Sequence, residues 1–330
     1  MTPLLSVKNL SIEFHHKKRF FTAVSDVNFS LYPSEILGIV GESGCGKSAT
    51  IKALLRLHSE HQCKVKGEIT YQDQDLLKIS EKQMESIRGK KIGMIFQDPM
   101  SSLNPTLPIG KQVLEGYKKH YPMIPHKEAY QHMLDILTIV GIAPSRVNDY
   151  PYMLSGGMRQ RIMIAISLIC RPDILIADEP TTALDVTIQA QILQLIKTMQ
   201  KKYKMSIVLI THDLSTIAGF CDRFLVMYGG KIVEIGSVDE LFYQTKHPYT
   251  QQLIAATPRI DTPKENTLFS IEGTPPALGE HIVGCPFANR CPYAMKICTI
   301  EMPTSTTFSS THQSYCWLHS KESLHVLSSH

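Results

Sequence analysis

Eight consecutive residues near position 45 have the types and the order needed to hold phosphate groups. They match G-x-x-x-x-G-K-S and are Gly41, Glu42, Ser43, Gly44, Cys45, Gly46, Lys47 and Ser48. Glycines let the backbone curl so that its N–H groups and the following helix N-terminus surround phosphate oxygens. Lys47 is placed to reach the β- and γ-phosphates, and Ser48 to offer its hydroxyl to Mg²⁺. The motif predicts a nucleoside triphosphate site.

Two adjacent acids follow an apolar run that is typical of a buried strand. Ile174 to Ala177 is the run, and Asp178 and Glu179 come directly after it. We expect Asp178 near the Mg²⁺ of the phosphate site and Glu179 facing the γ-phosphate, where it polarises the attacking water. A general base of this kind contributes about 10²- to 10⁴-fold to a rate. The alternative is that the two acids only end a strand at the surface.

A third motif narrows the class of nucleotide-binding protein to which the chain can belong. Leu154-Ser155-Gly156-Gly157-Met158-Arg159-Gln160-Arg161 forms a polar glycine turn before a helical pattern from Ile162 to Cys170. With this turn the chain resembles the ABC ATPases over about residues 5 to 245. The remaining elements of that family appear in order: Gln97 after a strand, Ala183-Leu184-Asp185 after the acids, and His212 after the strand Ser206 to Ile210.

The resemblance implies an ATP-driven dimer. In ABC ATPases the signature turn of one subunit caps the γ-phosphate held by another, so Ser155, Gly156 and Gly157 are expected to act in trans. The resemblance also gives Gln97 a contact with Mg²⁺ and water, Asp185 a place at the dimer seam, and His212 the γ-phosphate. An aromatic residue stacks on adenine in this family, and Phe14 is the candidate, with Phe20 and Phe21 as rivals.

These residues need an α/β framework to position them. Leu5 to Phe14 and Val24 to Leu31 alternate apolar and polar residues, as half-buried strands do. Ile36 to Val40 is a continuous apolar run, which favours a strand buried on both faces. Further buried strands are expected at Lys91 to Phe96, Ile174 to Ala177 and Ser206 to Ile210, with helices between them, and a hairpin at Phe224 to Ile235.

The predicted fold class is therefore α/β: the ABC form of the P-loop NTPase fold. It combines a RecA-like core with an antiparallel β subdomain and a helical subdomain at about residues 98–157. We expect the ATPase domain to span residues 1–246. Residues 247–330 lack a clear helical period and are rich in Pro and Thr, so they are predicted to be a small loop-rich extension with a disordered end.

The extension carries a narrower resemblance, to the ATP-binding subunits of bacterial oligopeptide, dipeptide and nickel importers. It rests on His247-Pro248-Tyr249-Thr250-Gln251-Gln252-Leu253 and on the run from Gly284 to Ala294. The resemblance implies that the chain is an ATPase that powers peptide import, with nickel-chelate import as the alternative. It also implies two integral membrane permease subunits, a second ATPase subunit forming a heterodimer or a homodimer, and an extracytoplasmic peptide-binding protein that acts indirectly.

Four of the eight cysteines lie in the extension: Cys285, Cys291, Cys298 and Cys316. Four thiolates can hold an iron–sulfur cluster or a structural zinc. The spacing does not fit the C-x₂-C pairs of zinc ribbons, and importer tails of this type resemble iron–sulfur carriers, so a [4Fe–4S] cluster is favoured. Zinc, with His281, His312 or His319 as substitute ligands, and unligated thiols stay open.

Composition and charge limit which partners the protein can have and where it can act. The net charge of +4 is mild and spread along the chain, which gives nucleic-acid binding no support. No run reaches the roughly 18 apolar residues of a membrane helix, and the N-terminus lacks a signal-peptide pattern. We expect a peripheral protein on the cytoplasmic face of the inner membrane. A soluble ABC ATPase of DNA repair or translation is the hypothesis from another class, but the P-loop and signature are too close for a coiled-coil insertion.

Overall fold

The structure is a computed structural model. It describes residues 2–16, 19–59, 61–182, 184–257, 270–277, 279–280 and 282–320. The end of the predicted disordered tail, Ala183 and His281 lie outside these ranges. Within them, no helix is both long enough and apolar enough to cross a membrane.

The strands and helices alternate through most of the chain. The strands are β1 (Leu5–His16), β2 (Arg19–Leu31), β3 (Ile36–Val40), β4 (Cys63–Tyr71), β5 (Gln74–Asp75), β6 (Ile92–Ile95), β7 (Ile174–Asp178), β8 (Ser206–Ile210), β9 (Arg223–Tyr228), β10 (Lys231–Ser237), β11 (Thr306–Thr307) and β12 (Gln313–Ser314). The helices are α1 (Lys47–Leu54), α2 (Glu81–Ile87), α3 (Pro99–Ser102), α4 (Ile109–His120), α5 (His126–Ile139), α6 (Gly156–Leu168), α7 (Val186–Tyr203), α8 (Leu214–Phe220), α9 (Val238–Tyr243), α10 (Pro248–Ala255) and α11 (Lys296–Ile300).

The chain divides into two compact units. The first comprises residues 1–2, 31–36 and 78–210, and the second residues 3–30, 37–77 and 211–330. In the first unit β6, β7 and β8 run parallel, in that order, and every residue of β7 and β8 is buried. Such continuous apolar strands are what a parallel sheet covered on both faces requires. Helices α3, α4 and α5 lie in the segment that was predicted to be helical.

The second unit contains two arrangements of strands. Strands β2, β1, β4 and β5 form a four-stranded sheet, in which β1 and β4 pair antiparallel. Strands β3 and β9 pair parallel, and β9, β10, β12 and β11 continue in antiparallel order. The buried core beside them includes Tyr228 of β9, Tyr249 and Ile254 of α10, and Phe287. The extension therefore contributes large side chains to the core of this unit.

Two features differ from the predictions made from the pattern. Strand β4 was missed, although Val65, Ile69 and Tyr71 sit at period-two spacing, because polar residues and Gly67 interrupt the run. The extension was described as lacking helical period, yet α10 starts at Pro248. The N-cap residue His247 accepts a hydrogen bond from the Tyr249 N–H through Nδ1 (3.1 Å), and proline is favourable in the first turn of a helix.

Candidate functional site

The phosphate-binding motif forms the turn between the buried strand β3 and helix α1. Gly46 sits just before the helix at a φ of 101°, and a Cβ there would lie 2.9 Å from Val24 Cγ2 and 3.0 Å from the Ala23 carbonyl oxygen. Only glycine meets both demands without strain. The loop is therefore built so that backbone N–H groups and the helix N-terminus converge on one region.

Lys47 is held inside this loop. Its side chain is 7% exposed, and Nζ donates to the carbonyl oxygens of Gly41 (2.7 Å) and Glu42 (3.0 Å). Both partners are backbone groups of the same loop, so the ammonium group is positioned by the turn itself. A cation held at the mouth of a curled, glycine-rich loop can bind phosphate oxygens.

The paired acids are brought together with Gln97 in the first unit. Asp178 is 3% exposed at the end of β7, and Glu179 follows in a left-handed conformation with a φ of 45°. The Glu179 N–H donates to the Ile210 carbonyl oxygen (3.0 Å). The Glu179 Oε2 accepts hydrogen bonds from Gln97 Nε2 (3.0 Å) and Thr182 Oγ1 (2.9 Å). The carboxylate is thus oriented from two sides, as a group that positions water must be.

The signature turn packs on the start of α7. Ser155 caps helix α6, and its Oγ accepts a hydrogen bond from the Met158 N–H (3.4 Å). A Cβ on Gly157 would lie 2.9 Å from Ile188 Cγ2, so this glycine allows a close approach. Asp185 caps α7 by accepting from the Ile188 N–H (2.9 Å). Gly157 and Asp185 therefore both contact Ile188 in the first turn of α7, and Ser155 lies at the exposed start of α6.

His212 lies in the second unit, directly before helix α8. Its side chain is exposed, and the next residue, Asp213, caps the helix through Ser215 and Thr216. Burial by itself raises the pKa of Asp213, but the hydrogen bonds from Ser215 and Thr216 outweigh it and the pKa is lowered. A rigid cap therefore fixes the backbone next to His212.

The three aromatic residues considered for adenine stacking have different surroundings. Phe14 is half-buried, with its ring 5.9 Å from Phe21 and 5.3 Å from His58. Phe20 and Phe21 line a pocket that also contains Gly44 of the phosphate loop. Phe14 thus packs against two other rings, whereas its rivals share a pocket with a residue of the phosphate loop. Adenine stacking by Phe14 stays a prediction.

All four cysteines of the extension line one small cavity, together with Trp317 and His247. Burial raises the pKa of Cys285 to about 12 and that of Cys316 to about 11. Yet within the described ranges no group of three or more His, Cys, Asp or Glu side chains is arranged to hold a metal ion. Lining a cavity needs only proximity, whereas ligands of a single zinc lie about 2.3 Å from one point. The predicted metal site therefore has no support among the described residues.

The histidines considered as substitute ligands have other partners. His312 Nε2 lies 2.8 Å from Glu234 Oε1, and His319 Nε2 lies 2.9 Å from the Lys246 carbonyl oxygen. Burial by itself raises the pKa of Glu234, but hydrogen bonds from His312 and from the Lys246 and His247 N–H groups lower it overall. These contacts fasten β12 to β10. Zinc ligation by His312 or His319 stays a prediction, and in this structure the Nε2 atom of each ring has another partner.

These features define a P-loop ATPase of the cassette type. They are a phosphate loop between a strand and a helix, a parallel strand that ends in two acids, and a helix that starts at Ser-Gly-Gly. Family models agree: "ABC transporter" matches residues 24–182, and "Oligopeptide/dipeptide transporter, C-terminal region" matches residues 233–298. The chain belongs to the ATP-binding proteins of the ABC transporter family, and it is an ATPase. The α/β fold class predicted from the sequence is confirmed.

Relatives match along nearly the whole chain. The dipeptide transport ATP-binding protein DppD of Bacillus subtilis is 48% identical over 330 residues, covering 99% of this chain and 98% of the relative. The oligopeptide transport ATP-binding protein OppD of Escherichia coli is 46% identical over 302 residues, covering 91% and 89%. A dimeric post-hydrolysis structure of the cassette MJ0796, bound to ADP and Pi, has a TM-score of 0.64 at 27% identity, covering 71% of this chain and 98% of that one.

Proposed function

We propose that this chain hydrolyses MgATP to power the import of peptides through an ABC transporter. The observation that carries the proposal is similarity that includes the extension: residues 233–298 match the C-terminal region of oligopeptide and dipeptide transporters. The DppD relative from B. subtilis is matched over 98% of its length. Both names concern peptides, which favours peptide import over nickel-chelate import.

The site residues have distinct parts in hydrolysis. Lys47 and the N–H groups of residues 41–48 bind the β- and γ-phosphates. Ser48, Gln97 and Asp178 would supply oxygen ligands, the type that Mg²⁺ prefers, and the bound ion would neutralise phosphate charge. Glu179, oriented by Gln97 and Thr182, accepts a proton from the attacking water. His212 contacts the γ-phosphate.

ATP is bound between two copies of the cassette. Ser155 and Gly157 at the start of α6 cap the γ-phosphate held by the P-loop of the other subunit, and Asp185 lies at the seam. The helix N-terminus of α6 provides partial positive charge for this contact. The second subunit is a related ATPase or a second copy of this chain.

The working complex also contains two membrane permease subunits, with an extracytoplasmic peptide-binding protein acting from the far side. We place this chain at the cytoplasmic face of the inner membrane, with residues 98–157 as the docking subdomain. The ATPase domain ends at residue 246, and the extension begins at His247.

The experiment is reconstitution with the two permease subunits of the same transport system in vesicles. Peptide uptake driven by ATP, competed by peptide and not by a nickel chelate, is the expected result. Glu179→Gln should assemble with the permeases without transport. Competition by the nickel chelate alone would overturn the peptide assignment, and failure to join any permease would favour a soluble role.

The cysteine cavity is assigned a [4Fe–4S] cluster within the same proposal, with zinc as the alternative. Four sulfur donors around one cavity are the chemistry such a cluster requires. Anaerobic purification should yield about four irons per chain, with visible absorption that the Cys285→Ser variant lacks. A colourless protein with one zinc, or without metal, would remove the cluster and leave the ATPase assignment intact.

A further inference from the structure

Arg290 of the extension reaches the phosphate loop. Its Nη1 donates to Glu42 Oε2 (2.8 Å) and to the Tyr228 hydroxyl (2.9 Å). Nε donates to the Glu272 carbonyl oxygen (2.8 Å), and Nη2 to that of Ile271 (3.1 Å). The Arg290 side chain is 7% exposed and that of Glu42 is 23% exposed. The extension thus holds the guanidinium on one side and presents it to the P-loop on the other.

Glu42 is fastened at two further points. Its N–H donates to the hydroxyl of Tyr249, a fully buried residue of α10 (3.1 Å). Its carbonyl oxygen accepts a hydrogen bond from Lys47 Nζ (3.0 Å). Two of the three contacts come from the extension, and the third joins the lysine that binds phosphate. A shift of Glu42 therefore moves a partner of Lys47.

Packing fixes the position of Arg290. It ends the 3₁₀ turn Ala288–Arg290, just after Phe287, which is fully buried. The Phe287 ring lies 5.2 Å from both the Tyr228 and the Tyr249 rings. The same aromatic cluster thus supports Arg290 and the tyrosine that binds the Glu42 N–H. Arg290 can therefore act on Glu42 as part of a rigid body.

The contact between Arg290 and Glu42 affects ATP binding, because Glu42 is negatively charged. Glu42 is the only acidic residue of the loop at residues 41–48, which must receive the negative phosphates of a nucleotide. An unpaired carboxylate there repels them, and the repulsion grows where water is partly excluded. Arg290 pairs with that carboxylate through a charge-assisted hydrogen bond, which is about twice as strong as a neutral one.

We propose that Arg290 is a positioning residue of the ATPase, through which the C-terminal extension neutralises Glu42 and fixes the P-loop for MgATP. Arg290 itself does not touch the nucleotide. The extension thereby sets nucleotide affinity, in addition to any metal that it holds. An extension that loosens at Arg290 lowers the affinity of the P-loop for MgATP.

The test uses the full-length chain and three variants: Arg290→Met, Glu42→Gln and the double variant. Loss of a hydrogen bond to a charged group corresponds to about tenfold or more in affinity. Arg290→Met should raise KM for MgATP about tenfold and leave kcat within about threefold. The double variant should recover most of the loss, because no unpaired carboxylate then remains beside the phosphates.

Controls separate positioning from folding. Arg146→Met removes an arginine that pairs with Asp149 (3.3 Å) in the other unit, and should leave KM unchanged. Thermal unfolding of each variant, followed by fluorescence of the single tryptophan, Trp317, reports on the extension. If Arg290→Met does not fold, Tyr249→Phe takes its place. It removes the hydrogen bond to the Glu42 N–H without changing charge, and should raise KM about threefold.

Three outcomes would overturn the proposal. The first is an unchanged KM in folded Arg290→Met. The second is a variant in which both kcat and the unfolding temperature fall while KM stays constant. That result would mean that the contact is purely structural. The third is a double variant whose KM is the product of the two single effects, since independent additive effects exclude a shared contact.

Discussion

At the residue scale, Glu179 shows how a single side chain is prepared for chemistry. It adopts a left-handed backbone conformation, which is uncommon for a residue other than glycine. The hydrogen bond from its N–H to Ile210 and the two hydrogen bonds to its carboxylate hold it in this conformation. Such conformations cluster at functional sites, where the surroundings stabilise them.

Glu179→Gln should lower the rate of ATP hydrolysis by about 10²-fold or more, because an amide cannot accept a proton from water. Binding of MgATP should persist, since the P-loop is unchanged. Single-turnover phosphate release measures the first quantity and nucleotide titration the second. Glu85→Gln on the exposed face of α2 is the matched control and should hydrolyse normally. Hydrolysis at the wild-type rate in Glu179→Gln would exclude Glu179 as the base.

At the element scale, Gly67 decides how β4 pairs with β1. It has a φ of 111°, and a Cβ there would lie 2.6 Å from the carbonyl oxygens of Lys8 and Asn9. The register between the two strands shifts between Lys8 and Ser11. Asn9 and Leu10 of β1 therefore lie opposite Gly67 alone, which is a β-bulge in β1 that places the Lys8 and Asn9 carbonyl oxygens against Gly67.

Gly67→Ala should therefore lower the free energy of unfolding by about 1–3 kcal/mol. Gly116→Ala is the matched control, because the same added methyl group in the middle of α4 meets no atom within 4 Å. It should stabilise by up to about 1 kcal/mol, since alanine is the better helix former. Urea unfolding followed by circular dichroism compares the two, and equal effects would contradict the steric argument.

Ser237 and Glu240 form a capping box at the start of α9, and it predicts that the stability of the fold depends on pH. Glu240 accepts hydrogen bonds from Ser309, from Thr311 Oγ1 (2.8 Å) and from the Ser237 N–H (2.8 Å). Burial by itself raises the pKa of Glu240, but these hydrogen bonds lower it from 4.5 to about 2. The stability from the ionised group is thus complete above pH 4.5 and is lost as the pH falls towards 2.

Glu240→Gln should lower the free energy of unfolding by about 1 kcal/mol at pH 7, because the amide keeps one acceptor oxygen but loses hydrogen bonds that the charged carboxylate accepts. The difference from the wild type should shrink between pH 4.5 and pH 2. Urea unfolding followed by Trp317 fluorescence measures it. Asp239→Asn is the control, because this neighbouring acid does not share the contacts with Ser309 and Thr311. A difference that stays constant down to pH 2 would contradict the role of ionisation.

At the scale of the whole molecule, ATP should drive the association of two cassettes. The Glu179→Gln variant is expected to accumulate as a dimer with MgATP, because the bound nucleotide is not consumed. Sedimentation velocity should show a monomer without nucleotide and about twice its mass with MgATP. Lys47→Ala in the same background should stay monomeric, since it cannot hold the phosphates. A dimer that forms without nucleotide would contradict ATP-driven association.

The P-loop, the paired acids and the signature turn could all be predicted from the amino-acid sequence. Their chemistry depends on contiguous residues, and the geometry of a short turn follows from glycine positions and the strand and helix beside it. The parallel α/β core was predictable for a similar reason, because strands buried on both faces are continuous apolar runs. Strand β4 is not predicted because polar residues and Gly67 interrupt its apolar positions.

The contacts between residues far apart in the chain depend on tertiary packing and could not be predicted. Gln97 and Glu179 are separated by 82 residues, and Arg290 and Glu42 by 248. No local pattern encodes such a pair, because each partner is a common polar residue and the contact depends on how sheets and loops pack. The same reason explains the cysteines: their spacing indicated a metal site, but whether four thiols converge on one ion is a matter of packing.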